Sequence, residues 1–229
     1  MEVKFIAGTK SIFEINNEEL ICYIARVSTN KTFDDKIKNI NQLLKYCIKN
    51  NHWSIFEHNY YTFEIKTSVA ISRQILRHRS FTFQEFSQRY SEVETFENVN
   101  IRKQSLDNRQ SSIQLEEKDA DIKRIASAII NEHLIDCKFA YQELLKLGVA
   151  KEVARMILPM QSTTTMYMTG SLRSWLTYLN QRLEEHTQVE HREIAQEIAK
   201  LLKNELPLIS EITNNFNEFR GNFITNNIG

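Results

Sequence analysis

Glycine and proline are scarce in this chain, and their scarcity limits the folds that it can adopt. Five glycines and two prolines occur among 229 residues. Since these residue types build most tight turns, we expect few hairpins and a mostly helical chain. The length is typical of one domain, and we expect residues 1–229 to form a single helix-rich α+β domain. So few glycines cannot build a glycine-rich phosphate loop, and a bound nucleotide would need side-chain ligands.

The charge balance excludes several classes of protein. The 29 Lys and Arg residues equal the 29 Asp and Glu residues, so the formal net charge is zero. This argues against a charge-driven disordered tail and against a generally basic nucleic-acid binder. No apolar run approaches the roughly 18 residues that cross a bilayer. Because residues 1–5 also lack the basic and apolar regions of a signal peptide, we expect a cytoplasmic protein without a membrane partner.

Cysteine and histidine patterns predict neither disulfides nor a metal site. Cys22, Cys47 and Cys137 are far apart and have apolar neighbours, which is typical of buried thiols in a reduced protein. The sequence contains no His-Glu-x-x-His and no di-iron motif. The pairs Glu185-His186 and Glu190-His191 could place ligands on one helix, but we interpret them as a solvated or paired face.

Hydrophobic periodicity predicts the secondary structure. Strand-like segments occur at 3–6, 11–15, 60–65 and 162–169. Capping residues and helical spacing predict helices at 16–28, 34–50 (beginning at Asp34), 69–77, 114–147, 151–158, 170–183 and 188–204. Residues 80–94 show no period and predict a loop, whereas the polar residues 98–112 predict a flap. For the longest helix, the predicted inner positions are Ile122, Ile125, Ala128, Ile129, His133, Ile135 and Ala140.

The most informative stretch is 73–90, where four arginines and one histidine accompany a single acid. Arg73 and Arg77 share a helix face through their i,i+4 spacing. Arginine forks suit phosphate or carboxylate groups, and the nearby Gln and Ser side chains could bind a planar base. The interleaved aromatic residues are more often core, although arginine with aromatic residues also suits single-stranded nucleic acid; they are Phe81, Phe83, Phe86 and Tyr90. On a neutral chain, we favour a small phosphorylated ligand.

The same stretch resembles a family signature. Arg77-His78-Arg79, seven residues and then Ser87, followed by Gln88-Arg89-Tyr90, resembles the signature of flavin-dependent thymidylate synthases. Four further segments resemble that family in the same order, and together they cover about residues 20–195. They are Ala25-Arg26-Val27-Ser28, the segment from His52 to His58, Glu152-Val153-Ala154-Arg155 with Leu158-Pro159, and Arg173-Ser174 with Arg182, Gln188 and Glu190.

The resemblance implies a fold and an activity. The fold would be that of the thymidylate synthase complementing proteins, with a central, mostly antiparallel sheet. The protein would be a homotetramer with sites shared between subunits. It would methylate dUMP to dTMP, with methylenetetrahydrofolate as the carbon donor and NADPH-reduced FAD as the hydride source. The family does not use a cysteine nucleophile, and we expect no cysteine near any matched motif.

The resemblance also assigns site residues. The catalytic set is Arg182, which would stabilise negative charge on the uracil, with Ser87 and His52. The FAD contacts are Ser28, Ser54, Glu57, Arg77, His78, Arg79, Gln84, Glu85, Ser171, Leu172, Arg173 and Thr177. The dUMP contacts are Gln74, Arg77, Glu85, Phe86, Ser87, Gln88, Arg89, Arg155 and Arg182.

Two other interpretations stay open. A nucleotide- or RNA-binding module could use the arginine and aromatic residues of 73–90, although the zero net charge does not favour RNA. A catalytically inactive homologue could keep the fold alone, although Arg155 and Arg182 are both retained.

Overall fold

A computed structural model describes residues 1–29 and 39–217. Within them, the strands are β1 (Glu2–Gly8), β2 (Tyr60–Ser68), β3 (Thr82–Glu85), β4 (Arg102–Gln104), β5 (Ser112–Gln114) and β6 (Thr163–Ser171). The α-helices are α1 (Asn17–Ala25), α2 (Ile40–Lys49), α3 (Val69–Ile75), α4 (Ala120–Lys146), α5 (Lys151–Ala154), α6 (Leu172–Arg182), α7 (Val189–Glu205) and α8 (Pro207–Ile212). Short 3-10 helices occupy Arg26–Thr29, Trp53–His58, Glu117–Asp119 and Arg155–Ile157.

Four strands form one sheet in the order β1-β2-β6-β3. Lys4 pairs with Glu64 between β1 and β2, at 3.1 Å. Between β2 and β6, the Thr62 and Thr169 hydroxyls lie 2.9 Å apart, and the Tyr167 hydroxyl donates to Glu64 at 2.7 Å. Residue numbers rise along β2 as they fall along β6, so this pair of strands is antiparallel. The Thr9 amide, just after β1, donates to the Tyr60 carbonyl at 2.9 Å, so β1 and β2 are antiparallel as well. The expectation of a helix-rich α+β fold with a mostly antiparallel sheet is confirmed.

By its contacts the chain divides into two compact units. The first contains Met1–Glu2, Ile65–Arg77 and Gln84–Met166. The second contains the described residues of Val3–Glu64, His78–Phe83 and Tyr167–Gly229. The expectation of one domain over residues 1–229 stays a prediction.

Helix α1 begins where its sequence predicts. The Asn16 side chain accepts hydrogen bonds from the amides of Glu18 and Glu19, and the Glu19 carboxylate accepts from the Asn16 amide. This capping box satisfies amides that the helix leaves without partners. Glu18, in the first turn of α1, is buried, and its carboxylate accepts a hydrogen bond from the Ile209 amide of α8 at 2.7 Å. Burial raises the pKa of Glu18.

Aromatic residues fill the core of the second unit. Trp175 on α6 is fully buried, and its indole N–H donates to the Tyr61 carbonyl at 3.1 Å. Its ring packs edge-on against Phe63 at 4.9 Å and against Phe81 at 4.7 Å. A Cβ atom at Gly170 would overlap the Phe81 ring, so only glycine allows this approach. The segment His78–Phe83 is thereby packed against the start of α6.

Several strand predictions were wrong. Residues 11–15 form bends, because the Ser11 hydroxyl accepts from the Phe13 amide in a local turn and Ile12 is exposed. The predicted loop 80–94 contains β3, whose alternation of exposed and half-buried residues is too short to stand out in the sequence. The predicted flap 98–112 contains β4, which pairs with β5 in an antiparallel hairpin. Polar contacts support that hairpin, including the Arg102–Ser112 hydrogen bond and the Lys103–Asp119 ion pair.

For the long helix α4, the C-terminal end was predicted correctly, but the start and the buried face were not. Gly148 ends it in the left-handed region, with φ of 81°, as its sequence predicts. However, α4 begins at Ala120, and Gln114 belongs to β5. All the predicted inner positions are exposed, whereas Cys137 and Tyr141 are buried. The exposed positions are Ile122, Ile125, Ala128, Ile129, His133, Ile135 and Ala140.

The remaining helix predictions hold, with shifts at their ends. Helix α2 ends at Lys49 as predicted, but its predicted start at Asp34 lies outside the described residues. The helix predicted at 151–158 divides into α5 and a 3-10 turn, and α8 follows the helix predicted to be the last. The three cysteines are free and buried, as predicted. Among residues 1–29 and 39–217, no helix has the length and apolar character to span a membrane.

We predict that Asn16→Ala lowers the free energy of unfolding by about 1 kcal/mol, since two amides of α1 lose their acceptor. Urea denaturation followed by circular dichroism measures the change. Asn17→Ala is the matched control and should change stability by less than about 0.5 kcal/mol, because Asn17 is a helical residue outside the capping box. Equal losses in the two variants would contradict this account of the helix start.

Candidate active site

Two of the predicted site residues meet directly in the second unit. The Arg182 Nε donates a hydrogen bond to the His78 Nε2 at 2.9 Å. Arg182 is the last residue of α6, and His78 opens the segment that Phe81 packs against that helix. The Arg182 side chain has no other hydrogen bond or ion pair within the described parts of the chain. Its two terminal amino groups are therefore able to donate to a ligand.

This hydrogen bond fixes the protonation state of His78. Arginine has only N–H donors, so the His78 Nε2 must be the acceptor, and the proton of a neutral imidazole is then on Nδ1. Burial, and the nearby charge of Arg182, lower the pKa of His78 to about 4. At neutral pH, Arg182 is therefore the one positive charge of this pair.

A second pair of polar side chains lies beside the first. The Tyr178 ring packs edge-on against the His78 ring, with centroids 4.9 Å apart. The Tyr178 hydroxyl is 3.1 Å from the His191 Nε2, and both residues are buried. Burial above all lowers the pKa of His191 to about 3. The interpretation of Glu190-His191 as a solvated face was wrong for His191, which is 0% exposed and is paired instead with the Tyr178 hydroxyl.

Sequence reasoning missed both Tyr178 and His191. The i,i+4 spacing of Tyr178 and Arg182 on α6 was a usable signal, because it places both on one helix face. No sequence signal identifies His191, since its partner Tyr178 lies on another helix.

Three predicted flavin contacts are connected by hydrogen bonds. The Glu57 carboxylate accepts from the Ser171 hydroxyl at 2.6 Å and from the Arg173 guanidinium at 3.0 Å. Ser171 also caps α6 by accepting from the Ser174 amide. Two further predicted flavin contacts, Thr177 and Leu172, form hydrogen bonds with other residues of the protein. The Thr177 hydroxyl donates to the Arg173 carbonyl, and Leu172 is buried with its amide donating to Asn59.

Another group of predicted residues lines a cavity of about 710 Å³ in the second unit. Ser28, His52 and Ser54 lie in its wall, and the His52 ring packs edge-on against Tyr46 at 5.5 Å. Cys47 lines the same cavity, so the expectation of no cysteine near a matched motif was wrong. Burial raises the pKa of Cys47, which keeps it a thiol and a poor nucleophile. Sequence reasoning missed three further polar lining residues, Asn39, Gln42 and Tyr46.

The first unit holds the rest of the predicted dUMP contacts. The Thr164 hydroxyl donates to the Glu85 carboxylate at 3.0 Å, and the Phe86 amide donates to the Thr165 carbonyl at 2.8 Å. Phe86 lines a cavity of about 630 Å³. The turn after β3 contains Ser87 and Gln88, while Gln74 lies on α3.

Arginines follow in the same unit. Arg89 pairs with Glu152 at 3.2 Å beside a cavity of about 310 Å³. Arg155 is half-buried in the 3-10 turn after α5. Tyr90, which we expected in the core, is exposed.

The arginines on either side of His78 point to solvent. Arg77 and Arg79 are exposed, and their side chains form no hydrogen bond or ion pair with any residue that the structure describes. Gln84 on β3 is exposed as well. Such side chains are able to bind an anion or a polar ligand. Over the same described ranges, no group of three or more His, Cys, Asp or Glu side chains is placed to hold a metal ion.

Comparisons with known proteins assign the family. The model of the thymidylate synthase complementing protein family matches residues 12–208. A flavin-dependent thymidylate synthase of a Synechocystis species is 43% identical over 218 residues, which cover 92% of this chain and 98% of the relative. The chain belongs to the family of flavin-dependent thymidylate synthases.

Other relatives agree. A probable flavin-dependent thymidylate synthase of Paramecium bursaria Chlorella virus 1 is 43% identical over 92% of this chain and 98% of its own length. That of Thermosipho melanesiensis is 37% identical over 87% of this chain and 86% of its own length. The resemblance in the signature motifs is therefore confirmed as membership of the flavin-dependent thymidylate synthases.

A solved structure shares the fold. The crystal structure of the UMP/dUMP methylase PolB from Streptomyces cacaoi, bound with 5-Br dUMP, superposes with a TM-score of 0.80. The match covers 95% of this chain and 96% of that chain, at 24% identity. At this identity the match shows a shared fold and not the roles of particular residues.

We predict that His191 makes the stability of the protein depend on pH. His191 is neutral when folded, with a pKa of about 3, and binds a proton near pH 6.5 when unfolded. The unfolded state therefore binds more protons below pH 6.5, so stability falls as the pH falls from 6.5 towards 3, and is unaffected by this group above 6.5.

Replacing His191 should remove its one proton from the difference in proton binding between the unfolded and folded states. For His191→Gln, urea denaturation between pH 7.5 and 4.5 should give a slope of unfolding free energy against pH that is smaller by about 1.4 kcal/mol per pH unit below pH 6. His133→Gln on the exposed face of α4 is the control and should leave the slope unchanged. Identical slopes for wild type and His191→Gln would contradict a neutral buried His191.

Proposed function

We propose that this chain is a flavin-dependent thymidylate synthase that methylates dUMP to dTMP, with methylenetetrahydrofolate as carbon donor and NADPH as reductant. The observation that carries the proposal is the Arg182–His78 hydrogen bond. It joins His78 of the family's signature to Arg182 of the late arginine motif. It also leaves the terminal amino groups of Arg182 able to donate to a ligand beside a neutral imidazole. A cytoplasmic location stays a prediction.

Arg182 has the chemistry that the uracil requires. Carbon 5 of the uracil becomes nucleophilic when negative charge develops on the ring carbonyl oxygens and N3. A fixed guanidinium stabilises that charge, and it does so more strongly in a partly buried site than in water. The hydrogen bond from Nε to His78 leaves the terminal amino groups of Arg182 to donate to the uracil.

Other side chains suit the nucleotide phosphate. A phosphate dianion binds best to arginine forks and hydroxyl groups. Ser87, Arg89 and Arg155 of the first unit supply these groups, and we propose that they bind the phosphate of dUMP. The pairing of Arg89 with Glu152 is exposed and therefore weak, so a phosphate can displace it.

The donor set also fits FAD. Arg77 and Arg79 carry exposed guanidinium groups that can pair with a diphosphate. The cavity that contains Ser28, His52 and Ser54 has about 710 Å³, within the usual range for a small-molecule site. The hydrogen-bonded Glu57, Ser171 and Arg173 add a fixed polar surface. When bound, FAD supplies the hydride that completes the methyl group.

We also propose that the active protein is a homotetramer with sites shared between subunits. Helix α4 exposes large apolar side chains at helical spacing, opposite the face that contains the buried Cys137 and Tyr141. Their exposed fractions run from 48% to 69%. These residues are Ile122, Ile125, Ile129, Ile135 and Phe139. Single chains rarely expose such a continuous apolar face, and a second copy would cover it.

Exposed apolar residues also surround Arg155. Val153, Met156 and Ile157 are all exposed on the same short helical segment. If this segment lies at a subunit contact, Arg155 can reach a nucleotide held by another subunit.

We predict that Arg182→Ala lowers the rate of dTMP formation by roughly a hundredfold or more while FAD stays bound. The rate is measured with dUMP, methylenetetrahydrofolate and NADPH, and bound FAD from the visible spectrum. Lys200→Ala, on the exposed face of α7, is the control and should keep the wild-type rate. A wild-type protein that binds no FAD and forms no dTMP would overturn the proposed function, and wild-type rates for Arg182→Ala would overturn the role of Arg182.

We predict that Ile129→Glu dissociates the tetramer, because a charge in an apolar contact must be desolvated. Light scattering after gel filtration should give about four times 27.0 kDa for the wild type and a smaller mass for the variant. Asn131→Glu adds the same charge to α4 outside the apolar face and should stay tetrameric. A monomeric wild type, or an Ile129→Glu variant that stays tetrameric, would contradict this interface.

A further inference from the structure

Tyr178 and His191 form a buried polar pair that the proposed catalytic roles do not include. His191 lies in the first turn of α7 and is 0% exposed, and Tyr178 on α6 is 1% exposed. Their polar atoms are 3.1 Å apart. Either group alone would be left with a buried polar atom lacking this partner, which costs free energy. The hydrogen bond therefore holds the Tyr178 ring in one position between the two helices.

The Tyr178 ring in turn contacts the imidazole that binds Arg182. Tyr178 and Arg182 are one turn apart on α6, and the His78 ring meets the Tyr178 ring edge-on at 4.9 Å, with an interplanar angle of 75°. His191 also approaches His78, with ring centroids 6.2 Å apart. The imidazole of His78 thus lies among three rings, the third being Phe81 at 6.4 Å, and accepts a hydrogen bond from Arg182.

A free arginine side chain would not hold one direction. Its long side chain has many rotamers, and a catalytic group works best when it is held within about 10–20° of its productive orientation. Arg182 ends its helix and forms no other hydrogen bond or ion pair within the described chain. The bond to His78 is therefore what sets the direction of its guanidinium.

We propose that Tyr178 and His191 are positioning residues for the reaction. Their hydrogen bond fixes the Tyr178 ring, the ring fixes the imidazole of His78, and the imidazole fixes the guanidinium of Arg182. This inference rests on the proposed function, because it assumes that Arg182 acts on the uracil.

The test compares two substitutions of His191. His191→Leu removes the partner of the Tyr178 hydroxyl, whereas His191→Gln keeps a side chain able to hydrogen bond. For His191→Leu, we expect kcat for dTMP formation, per bound FAD, to fall about tenfold. We expect KM for dUMP to change less than twofold, because the charge of Arg182 stays near the nucleotide. His191→Gln should retain kcat within about threefold of the wild type.

A control separates positioning from loss of stability. Thr213 is also fully buried, and its hydroxyl donates to the Ile209 carbonyl at 2.7 Å. Thr213→Val should lower the melting temperature and leave kcat within twofold of the wild type. If His191→Leu does not fold, Tyr178→Phe gives the same test, since it removes only the hydroxyl. Wild-type kcat in His191→Leu, or an equal loss in His191→Leu and His191→Gln, would overturn the proposal.

Crystal structures of the FAD-loaded variants give a readout that does not need the reaction. In His191→Leu, the distance from the Arg182 Nε to the His78 Nε2 should exceed 3.5 Å, while in His191→Gln it should stay near 2.9 Å. An unchanged distance in His191→Leu overturns the positioning role even if kcat falls in that variant. A wild type that forms no dTMP overturns the proposed function, and the two crystal structures still decide whether His191 positions Arg182.

Discussion

The contact of Phe81 with Gly170 and Trp175 is the constraint on which the arrangement of the second unit depends. The phenyl ring occupies the space that any larger residue at 170 would need, and it packs against an indole that is itself tied to the Tyr61 carbonyl. The segment His78–Phe83 is thereby held against the start of α6. A second link, from the Ser174 hydroxyl to the Ser80 carbonyl at 3.2 Å, fixes its backbone. The Arg182–His78 hydrogen bond requires both elements to be in place.

The electrostatics of this region follow from its packing. Burial disfavours charge on imidazoles, and the guanidinium of Arg182 disfavours it further, so both His78 and His191 stay neutral. The Tyr178 hydroxyl stays protonated for the same reason, because burial raises its pKa. The Arg182 cation thus contacts a neutral imidazole, with the neutral Tyr178 and His191 beside it. For a reaction that develops negative charge on a ring, this places the stabilising charge at one fixed point instead of spreading it over several mobile ones.

Much of the fold and of the site composition could be predicted because the signals were local. The Asn16 cap with Glu19, the Gly148 terminus and the Ser171 cap each depend on residues within one helical turn. The motifs likewise identified Glu57, Ser171 and Arg173, which the structure connects by hydrogen bonds. What could not be predicted depends on distant partners. The hairpin of β4 and β5 is polar, and each of its strands is only three residues long. Cys47 lines the cavity of His52 and Ser54 because of where α2 packs.

The error on α4 shows a physical limit of hydrophobic periodicity. The pattern correctly finds an apolar face on that helix, since Ile122, Ile125 and Ile129 recur at helical spacing. It does not say whether the same chain or another copy covers the face. In the single chain, α4 buries Cys137 and Tyr141 instead, and the stronger apolar face is left exposed. Apolar area is removed from water equally well by either partner, so a periodic pattern by itself does not distinguish burial within one chain from burial against a second one.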